Sequence, residues 1–434
     1  MTLATNLDEV YRACDPDKPL SASDERYVDL AEVRGTKVIA TTIARRIERC
    51  SDGHDGQFYQ QLFTGHRGSG KSTELLRLKK ELQNRKFFAI YIDVEELLDL
   101  ADIDYLDVLL SIAKQTEEEL RKSDIFLNSD LLDNLGQWFA EKIIESKQSR
   151  GLSAGLKTQA ETEAKMPFFA KLMANLTAEI KTASSRRVTT RQKLEREQAD
   201  FITRLNVLLT NARSKVQKND YKDIVLIVDG LEKMHYRILD DKQSSHAHLF
   251  VVHAEQLKAP CCHIVYTMPI SLAFNANLGN DFDDVQLLPM VKMNYGGIAC
   301  LKKVIAQRVD VDATFQDPNA INELVGLSGG VMRDLMRLMR LATDTDETKI
   351  SASEIDYAKK TLIREYDRLL RDDEFEQLLW VHTNHRVTGD ESYARLLNLR
   401  LILEYQNGDR WADIHPALMQ VRWVEERLRD ATSH

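Results

Sequence analysis

Four short apolar runs mark the first two thirds of the chain. They lie at residues 58–63, 87–94, 224–228 and 263–267. Continuous apolar runs of this length are typical of strands buried on both faces of a parallel sheet. Between them, apolar residues recur at helical spacing, as in residues 37–50 and 105–122. This alternation predicts an α/β fold with a parallel sheet and right-handed crossovers.

Residues 127–216 interrupt the alternation and predict helices without a strong strand. The part from 150 to 196 holds ten lysines and arginines against four acidic residues, in a chain that is otherwise acidic. We interpret the stretch as a helical, locally basic insertion. Its charges are typical of a solvated helical face, and a contact surface for nucleic acid or an acidic partner is the alternative. Arg186, Arg187 and Arg191 are the residues whose neutralisation would test that alternative.

Beyond residue 290 the pattern is mostly helical. Gly329-Gly330 predicts a turn that opens a helix with Arg333 in its first turn, and Asn407-Gly408 between two apolar-aromatic runs predicts a β-hairpin. Helices followed by a hairpin in so short a segment are typical of a winged-helix module. The predicted domains are the α/β domain at 1–290, a helical segment at 291–350 and a winged-helix-like domain at 351–434.

Candidate chemistry is concentrated where the first apolar run ends. Residues 65–72 read Gly-His-Arg-Gly-Ser-Gly-Lys-Ser, a full match to the phosphate-loop pattern G-x-x-x-x-G-K-[ST]. An apolar run precedes the motif and helical spacing follows it, as the motif requires. The glycines let the main chain wrap a phosphate, Lys71 offers a cation to the β- and γ-phosphates, and Ser72 offers a hydroxyl ligand to Mg²⁺. The loop therefore predicts nucleotide binding.

Polar residues near the ends of later segments are further candidates. Asp229 ends the third run, where a carboxylate can hold Mg²⁺ beside the phosphate loop. Glu232 is a candidate to orient an attacking water. Thr267 ends the fourth run, where it either senses the γ-phosphate or caps the next turn. Arg333 lies at a predicted helix N-terminus, a place that is unfavourable for a cation unless an anion is near.

Charge and cysteine content narrow the function classes. The formal net charge is −9 and the pI about 5.8, whereas a protein that coats nucleic acid would be basic. The five cysteines form no C-x-x-C pair, and Cys261-Cys262-His263 cannot converge on one metal from a strand. No signal-peptide pattern and no bilayer-length apolar run occurs. We therefore expect a cytoplasmic protein with reduced thiols and no membrane contact.

These motifs together resemble the AAA+/STAND group of P-loop ATPases, in particular the branch related to origin-recognition ATPases. The resemblance implies ATP and Mg²⁺ as cofactors, metal binding by Ser72 and Asp229, and Thr267 and Arg333 as first and second sensors. It places the adenine at residues 27–35. Catalytic roles are implied for Lys71, Asp229, Glu232, Thr267 and Arg333. Nucleotide contacts are implied for Gly65, His66, Arg67, Gly68, Ser69, Gly70, Lys71, Ser72 and Thr73, and for Arg34 and Gly35.

The sequence departs from the family pattern at two places, and the first departure bears on activity. Residues 229–232 read Asp-Gly-Leu-Glu, like signalling NTPases, rather than the adjacent Asp-Glu of vigorous ATPases. Met268 stands where many STAND members have arginine. We therefore expect slow ATP hydrolysis. The chain is also similar to bacterial conflict and anti-phage ATPases, which implies a role in defence.

Two functions fit the sequence. In the first, the chain is an ATP-dependent switch that couples nucleotide state to a partner protein. In the second, it loads on or remodels duplex DNA through the winged helix or the basic insertion. The acidic net charge and the acidic residues of the hairpin favour the switch. A metabolic kinase is a distant third, and an ATP-dependent homo-oligomer is left open.

Overall fold

The structure of the chain is a computed structural model. The structure describes residues 2–51, 57–143, 168–182, 185–240, 242–294, 296–407 and 409–432.

Five parallel strands form the central sheet, in the order β2-β3-β4-β1-β5. Their bounds are β1 Gln60–Gly65, β2 Phe88–Asp93, β3 Ile224–Asp229, β4 His263–Thr267 and β5 Asp284–Leu288. The first four coincide with the four apolar runs and confirm the α/β prediction. β5 was not predicted, because it is an edge strand of mixed polarity whose first four residues are only half buried. Within the sheet, Asp93 lies opposite Asp229, so both carboxylates share the carboxyl edge.

Helices cover both faces of the sheet. Ile39–Ser51 and the phosphate-loop helix, Lys71–Asn84, pack on one face through side chains that include Ile43, Ile47, Leu75 and Leu78. Tyr105–Lys122 and Gln198–Gln217 pack on the other face. Successive strand residues point to opposite faces, so a central strand buried on both sides reads as a continuous apolar run. Shorter helices near the sheet span Val94–Leu97, Ser245–Ala247, Ala254–Lys258 and Leu272–Asn275.

The described parts of residues 127–216 contain helices only, as predicted. They span Ser129–Lys142, Phe168–Lys181, Ser185–Arg196 and Gln198–Gln217. The expectation of a solvated basic face is wrong for two of its arginines, and the alternative of a contact surface stays a prediction for the rest of the insertion. Arg187 binds Asp99 and Asp102, and Arg191 binds Asp102 and Asp107. Both guanidinium groups therefore form ion pairs within the protein. The side chain of Arg186 and residues 144–167 lie outside the described residues.

A second large core joins the N-terminal residues to the helices after the sheet. The helices Leu7–Ala13 and Ala31–Arg34 contribute Val10 and Val33 to the same apolar cluster as the lid and the C-terminal region. The helices of residues 291–350, which the family resemblance predicts to be a lid and which we call the lid, span Gly297–Ala306, Val311–Thr314, Ile321–Leu327 and Met332–Leu341. The C-terminal helices span Ala352–Leu369, Phe375–Asn384, Ala394–Asn398, Pro416–Met419 and Arg422–Thr432. The domain boundaries at 290 and 350 stay predictions, and the shared core crosses both of them.

The predicted hairpin is present. Its strands are β6, Ile402–Asn407, and β7, Asp409–Ile414, paired antiparallel. It follows three helices, the order expected of a winged helix, but the third of these has only five residues. Leu403 and Tyr405 of β6 are buried against Met290 and Val331, so this strand packs on the rest of the protein. No helix within the described ranges has the length and apolar content needed to cross a membrane.

The ion pairs of Arg191 yield a stability prediction. Arg191→Ala would leave the carboxylate of Asp107, which is 1% exposed, buried without its cation. We expect the free energy of unfolding to fall by about 3–5 kcal/mol. Lys360→Ala, which removes an exposed i,i+4 pair with Asp356, is the control, with an expected change below ~1 kcal/mol. Urea unfolding measures both. An unchanged midpoint for Arg191→Ala would show that this pair does not stabilise the fold.

Candidate functional site: a phosphate-loop cleft

The phosphate loop connects β1 to the phosphate-loop helix and requires glycine at two tight places. Gly70 has φ of +99° immediately before that helix, a conformation that side chains disfavour. A Cβ on Gly68 would lie 2.5 Å from the Cβ of Arg333, so only glycine fits beneath the lid. The loop therefore leaves its main-chain N–H groups at the start of a helix, where an anion is stabilised.

A cleft of about 240 Å³ opens at this loop. Three parts of the chain line it: the N-terminal residues between Arg12 and Arg34, the loop with the adjacent strand ends, and the lid residues Val304, Met332 and Met336. Nine lysines and arginines face it against six acidic residues, in a chain of net charge −9. The cleft thus carries a net positive charge and also has apolar residues of the lid in its lining, which suits a ligand with a phosphate end and an aromatic end.

The Lys71 ammonium group is buried in the loop. Its Nζ donates hydrogen bonds to the carbonyl oxygens of Gly65 and His66, at 3.0 and 3.1 Å, and lies 3.2 Å from Oε1 of Glu232. Burial raises the pKa of Glu232, but the charge of Lys71, with help from Thr267 and Lys233, brings it below its ordinary value. Glu232 is therefore an ionised carboxylate paired with the phosphate-binding cation.

Asp229 lies at the end of β3 beside that pair. Its Oδ2 accepts a hydrogen bond from the Tyr91 hydroxyl, and its Oδ1 is buried without a hydrogen-bond partner. Burial and the negative charge of Glu232 raise the pKa of Asp229, although Tyr91 and Ser72 offset part of the effect. A buried carboxylate oxygen with no donor is stabilised by a cation, and Ser72 adds a second hard oxygen.

These residues fit Mg²⁺. No group of three or more His, Cys, Asp or Glu able to hold a metal is found among the described residues. At phosphate loops, Mg²⁺ is shared between one or two protein oxygens, phosphates and waters. Ser72 and Asp229 are the two residues here that could take that part.

Thr267 is fully buried at the end of β4. Its Oγ1 accepts hydrogen bonds from the N–H groups of Gly230 and Leu231, at 2.9 and 3.0 Å. The hydroxyl thus holds the turn after the neighbouring strand, the turn that carries Glu232. Neither reading of Thr267 from the sequence included this contact, and its role as a γ-phosphate sensor stays a prediction.

Arg34 and Gly35 lie behind the loop. Nη2 of Arg34 donates to the Ser69 carbonyl at 2.6 Å, while its Nε and Nη1 are buried without a partner. Burial lowers the pKa of Arg34, so a nearby anion would stabilise its charge. Gly35 has φ of +68°, and a Cβ there would lie 2.6 Å from the Gln406 carbonyl oxygen. Arg34 therefore faces the loop and Gly35 faces the hairpin.

Arg333 reaches the loop from the lid. Its N–H donates to the Gly68 carbonyl at 3.1 Å, and its Nη1 lies 2.9 Å from the carboxylate of Asp17. Burial lowers the pKa of Arg333. Arg67 and Thr73 also line the cleft, and Oγ1 of Thr73 accepts the N–H of Leu20. The anion inferred from the position of Arg333 is, in this structure, an aspartate on the N-terminal segment.

His66 departs most from its expected place. Its ring is fully buried and forms hydrogen bonds with the main chain of Leu397 and Glu404, in the C-terminal region. The ring is therefore occupied by the C-terminal region, and the nucleotide contact of His66 stays a prediction that its main chain would fulfil. Burial lowers the pKa of His66 to about 3, so the ring is neutral. The motif specifies no side chain at this position, which is why the sequence did not show the contact.

Sequence reasoning missed Tyr91 and Asp17 as site residues. Tyr91 is a polar hydroxyl within an otherwise apolar strand, two residues before Asp93, and that interruption is a usable signal. Asp17 sits in a proline-bounded loop, residues 15–19, and nothing in its local sequence points to a lid arginine more than 300 residues away.

Comparisons with known proteins assign this chain to no family. No protein-family model matches the chain, and no curated protein matches it. Solved structures similar to it include a Walker-type ATPase of Pyrococcus abyssi, at 16% identity and TM-score 0.37, covering 96% of this chain and 99% of that one. The Orc1 protein of Aeropyrum pernix, solved with DNA, matches at 11% identity and TM-score 0.43, covering 96% and 98%. The Thermotoga maritima RuvB branch migration motor matches at 12% and 0.36, covering 92% and 95%. Because these TM-scores lie below 0.5, the fold assignment rests on the strand order and the phosphate loop.

The geometry of Lys71 predicts its contribution to nucleotide binding. Lys71→Ala removes the buried cation of the loop, and we expect ATP affinity to fall roughly 10- to 150-fold, the equivalent of about 1.5–3 kcal/mol for a charge-assisted hydrogen bond. Lys80→Ala, an exposed lysine on the same helix, is the control and should bind like the wild type. Titration calorimetry measures affinity, and circular dichroism checks folding because the variant leaves Glu232 unpaired. Equal affinities for Lys71→Ala and the wild type would refute the site.

Proposed function

We propose that this chain is an ATP-binding molecular switch of AAA+/STAND type that hydrolyses ATP slowly and passes its nucleotide state to a partner protein. The observation that carries the proposal is the position of Arg333. This lid arginine rests on Gly68 of the phosphate loop and is paired with an exposed acidic side chain, which a phosphate can replace.

The cleft suggests how ATP would be held. The main chain of the loop and Lys71 would bind the β- and γ-phosphates, and the unpartnered donors of Arg34 would add positive charge. The adenine would lie between Val28 and Leu30 of the N-terminal segment and Met336 of the lid, all of which line the cleft. Mg²⁺, held through Ser72 and Asp229, would supply charge neutralisation at the phosphates.

For hydrolysis, Glu232 must leave its ion pair with Lys71 and bind the attacking water instead. In-line attack by water on the γ-phosphorus breaks its bond to the β–γ bridging oxygen, giving ADP, inorganic phosphate and a proton. Glu232 is ionised and can accept a hydrogen bond from that water once Lys71 leaves it for the phosphates. Because Glu232 lies three residues beyond Asp229, and starts in an ion pair, we infer that turnover is slow.

The alternative is an ATPase that acts on duplex DNA. The hairpin strands contain one basic residue, Arg410, which is bound to Glu404, and β6 packs inward. Arg187 and Arg191 are engaged in ion pairs. These contacts favour the switch. Retention of duplex DNA with ATP, weakening tenfold or more between about 50 and 200 mM salt, would favour the alternative. A defence role and an ATP-dependent homo-oligomer rest on the family resemblance alone.

Substitutions of Asp229 and Glu232 should affect ATP hydrolysis to different extents. Asp229→Ala should abolish ATP hydrolysis because it removes a metal-binding oxygen, whereas Glu232→Gln should retain ATP binding and slow hydrolysis about 10²- to 10⁴-fold. Glu95→Gln, a carboxylate on the rim of the same cleft, is the control and should turn over normally. Phosphate release is measured beside nucleotide affinity. A wild-type rate for Glu232→Gln would transfer the water-orienting role elsewhere, and Asp93 would be tested first.

The contact between Arg333 and the phosphate loop predicts that ATP and ADP affect the lid differently. A contact made with the γ-phosphate of ATP and not with ADP shifts the lid equilibrium, and about 1.5–3 kcal/mol is enough for a tenfold change in population. Arg333→Ala should bind nucleotide yet lose most of the ATP–ADP difference in hydrogen exchange of the lid. Arg337→Ala, one turn along the same helix and paired with Glu365, is the control. If Arg333→Ala kept the full difference, this arginine would not be the sensor.

A further inference from the structure

His66 is held by the protein on two sides. Its Nε2 accepts the N–H of Glu404 at 2.8 Å, so the ring proton is on Nδ1, which donates to the Leu397 carbonyl oxygen at 3.2 Å. Its own carbonyl oxygen accepts a hydrogen bond from Nζ of Lys71 at 3.1 Å. One residue therefore joins the phosphate-binding cation, through its main chain, to β6, through its ring.

β6 also contacts the other parts of the chain that frame the cleft. The Tyr405 hydroxyl donates to the Gly329 carbonyl of the lid at 2.8 Å, and the Glu404 carbonyl oxygen accepts the N–H of Met290 at 3.1 Å. The main chain of Gln406 lies against Gly35, with no room for a Cβ there. Because the packing is close, a displacement of the loop at His66 acts on β6, a strand that is bound to the lid and to the N-terminal segment.

We propose that His66 is a positioning residue that couples the phosphate loop to β6, so that nucleotide binding and the state of the C-terminal region control one another. When the Lys71 ammonium group binds a phosphate, it no longer donates a hydrogen bond to the His66 carbonyl oxygen. The main chain of the loop then shifts at His66, whose ring is fixed in the C-terminal region. Because coupling is reciprocal, a partner that displaces β6 changes the affinity for nucleotide by the same factor as nucleotide changes the affinity for that partner. This inference rests on the proposed function.

Hydrogen exchange of the full chain, with and without ADP, tests the coupling. In the wild type we expect ADP to change the exchange of the β6 segment, residues 402–407. His66→Asn keeps a donor toward Leu397 but is too short to reach Glu404, and it should lose that change while still binding ADP. His66→Gln, whose longer amide offers an acceptor, should restore part of it. The control is Tyr405→Phe, which loosens the same strand from the lid without touching the phosphate loop, and it should keep the change.

The outcomes separate this inference from the function on which it rests. An ADP-dependent change at β6 that persists in full in His66→Asn would overturn the role of His66, as would an equal loss in Tyr405→Phe. ADP binding by the wild type with no change at β6 would overturn the coupling alone. If titration calorimetry detected no nucleotide binding by the wild type, the proposed function would fall, and this inference with it.

Discussion

The buried Lys71–Glu232 pair is the interaction on which the site depends. The loop presents its cation inward to Glu232, and the carboxylate of Asp229 is buried close enough to feel both charges. Burial and the charge of Glu232 raise the pKa of Asp229, whereas the charge of Lys71 outweighs burial and lowers the pKa of Glu232. An excess of buried negative charge favours a divalent cation, and the arginines around the cleft favour the phosphates that accompany it.

The rest of the cleft is assembled from distant parts of the chain. The N-terminal segment, the lid and β6 each meet the phosphate loop through a specific contact: Arg34 with Ser69, Arg333 with Gly68, and His66 with Glu404. None of these parts could form the site by itself. A ligand that changes the loop therefore acts on three packed elements together, and packed elements move between discrete arrangements rather than by continuous deformation.

The sequence predicted those parts of the structure that depend on local pattern. The helix expected at 105–122 is observed at Tyr105–Lys122, and β3 and the phosphate loop lie where their residues indicated. Edge strand β5 was missed because half-buried strands carry a weak pattern. The partners of Arg187 and Arg191 were missed because helical spacing shows which face a charge occupies and not what lies opposite. The orientation of His66 was missed because the motif leaves that side chain unspecified.

The shared core of the N-terminal and C-terminal parts has a consequence for how the chain is made. Ala4 pairs with residues 308–310 through main-chain hydrogen bonds, and Val10 and Cys14 are buried among side chains of the lid and the C-terminal region. During synthesis these first apolar residues emerge long before their partners, so they stay exposed until the ribosome has added most of the chain. Contacts of such sequence separation slow folding and leave apolar surface open to aggregation. Binding of the N-terminal residues by a chaperone would be expected to matter more for the yield of this protein than for a chain whose N-terminus folds locally.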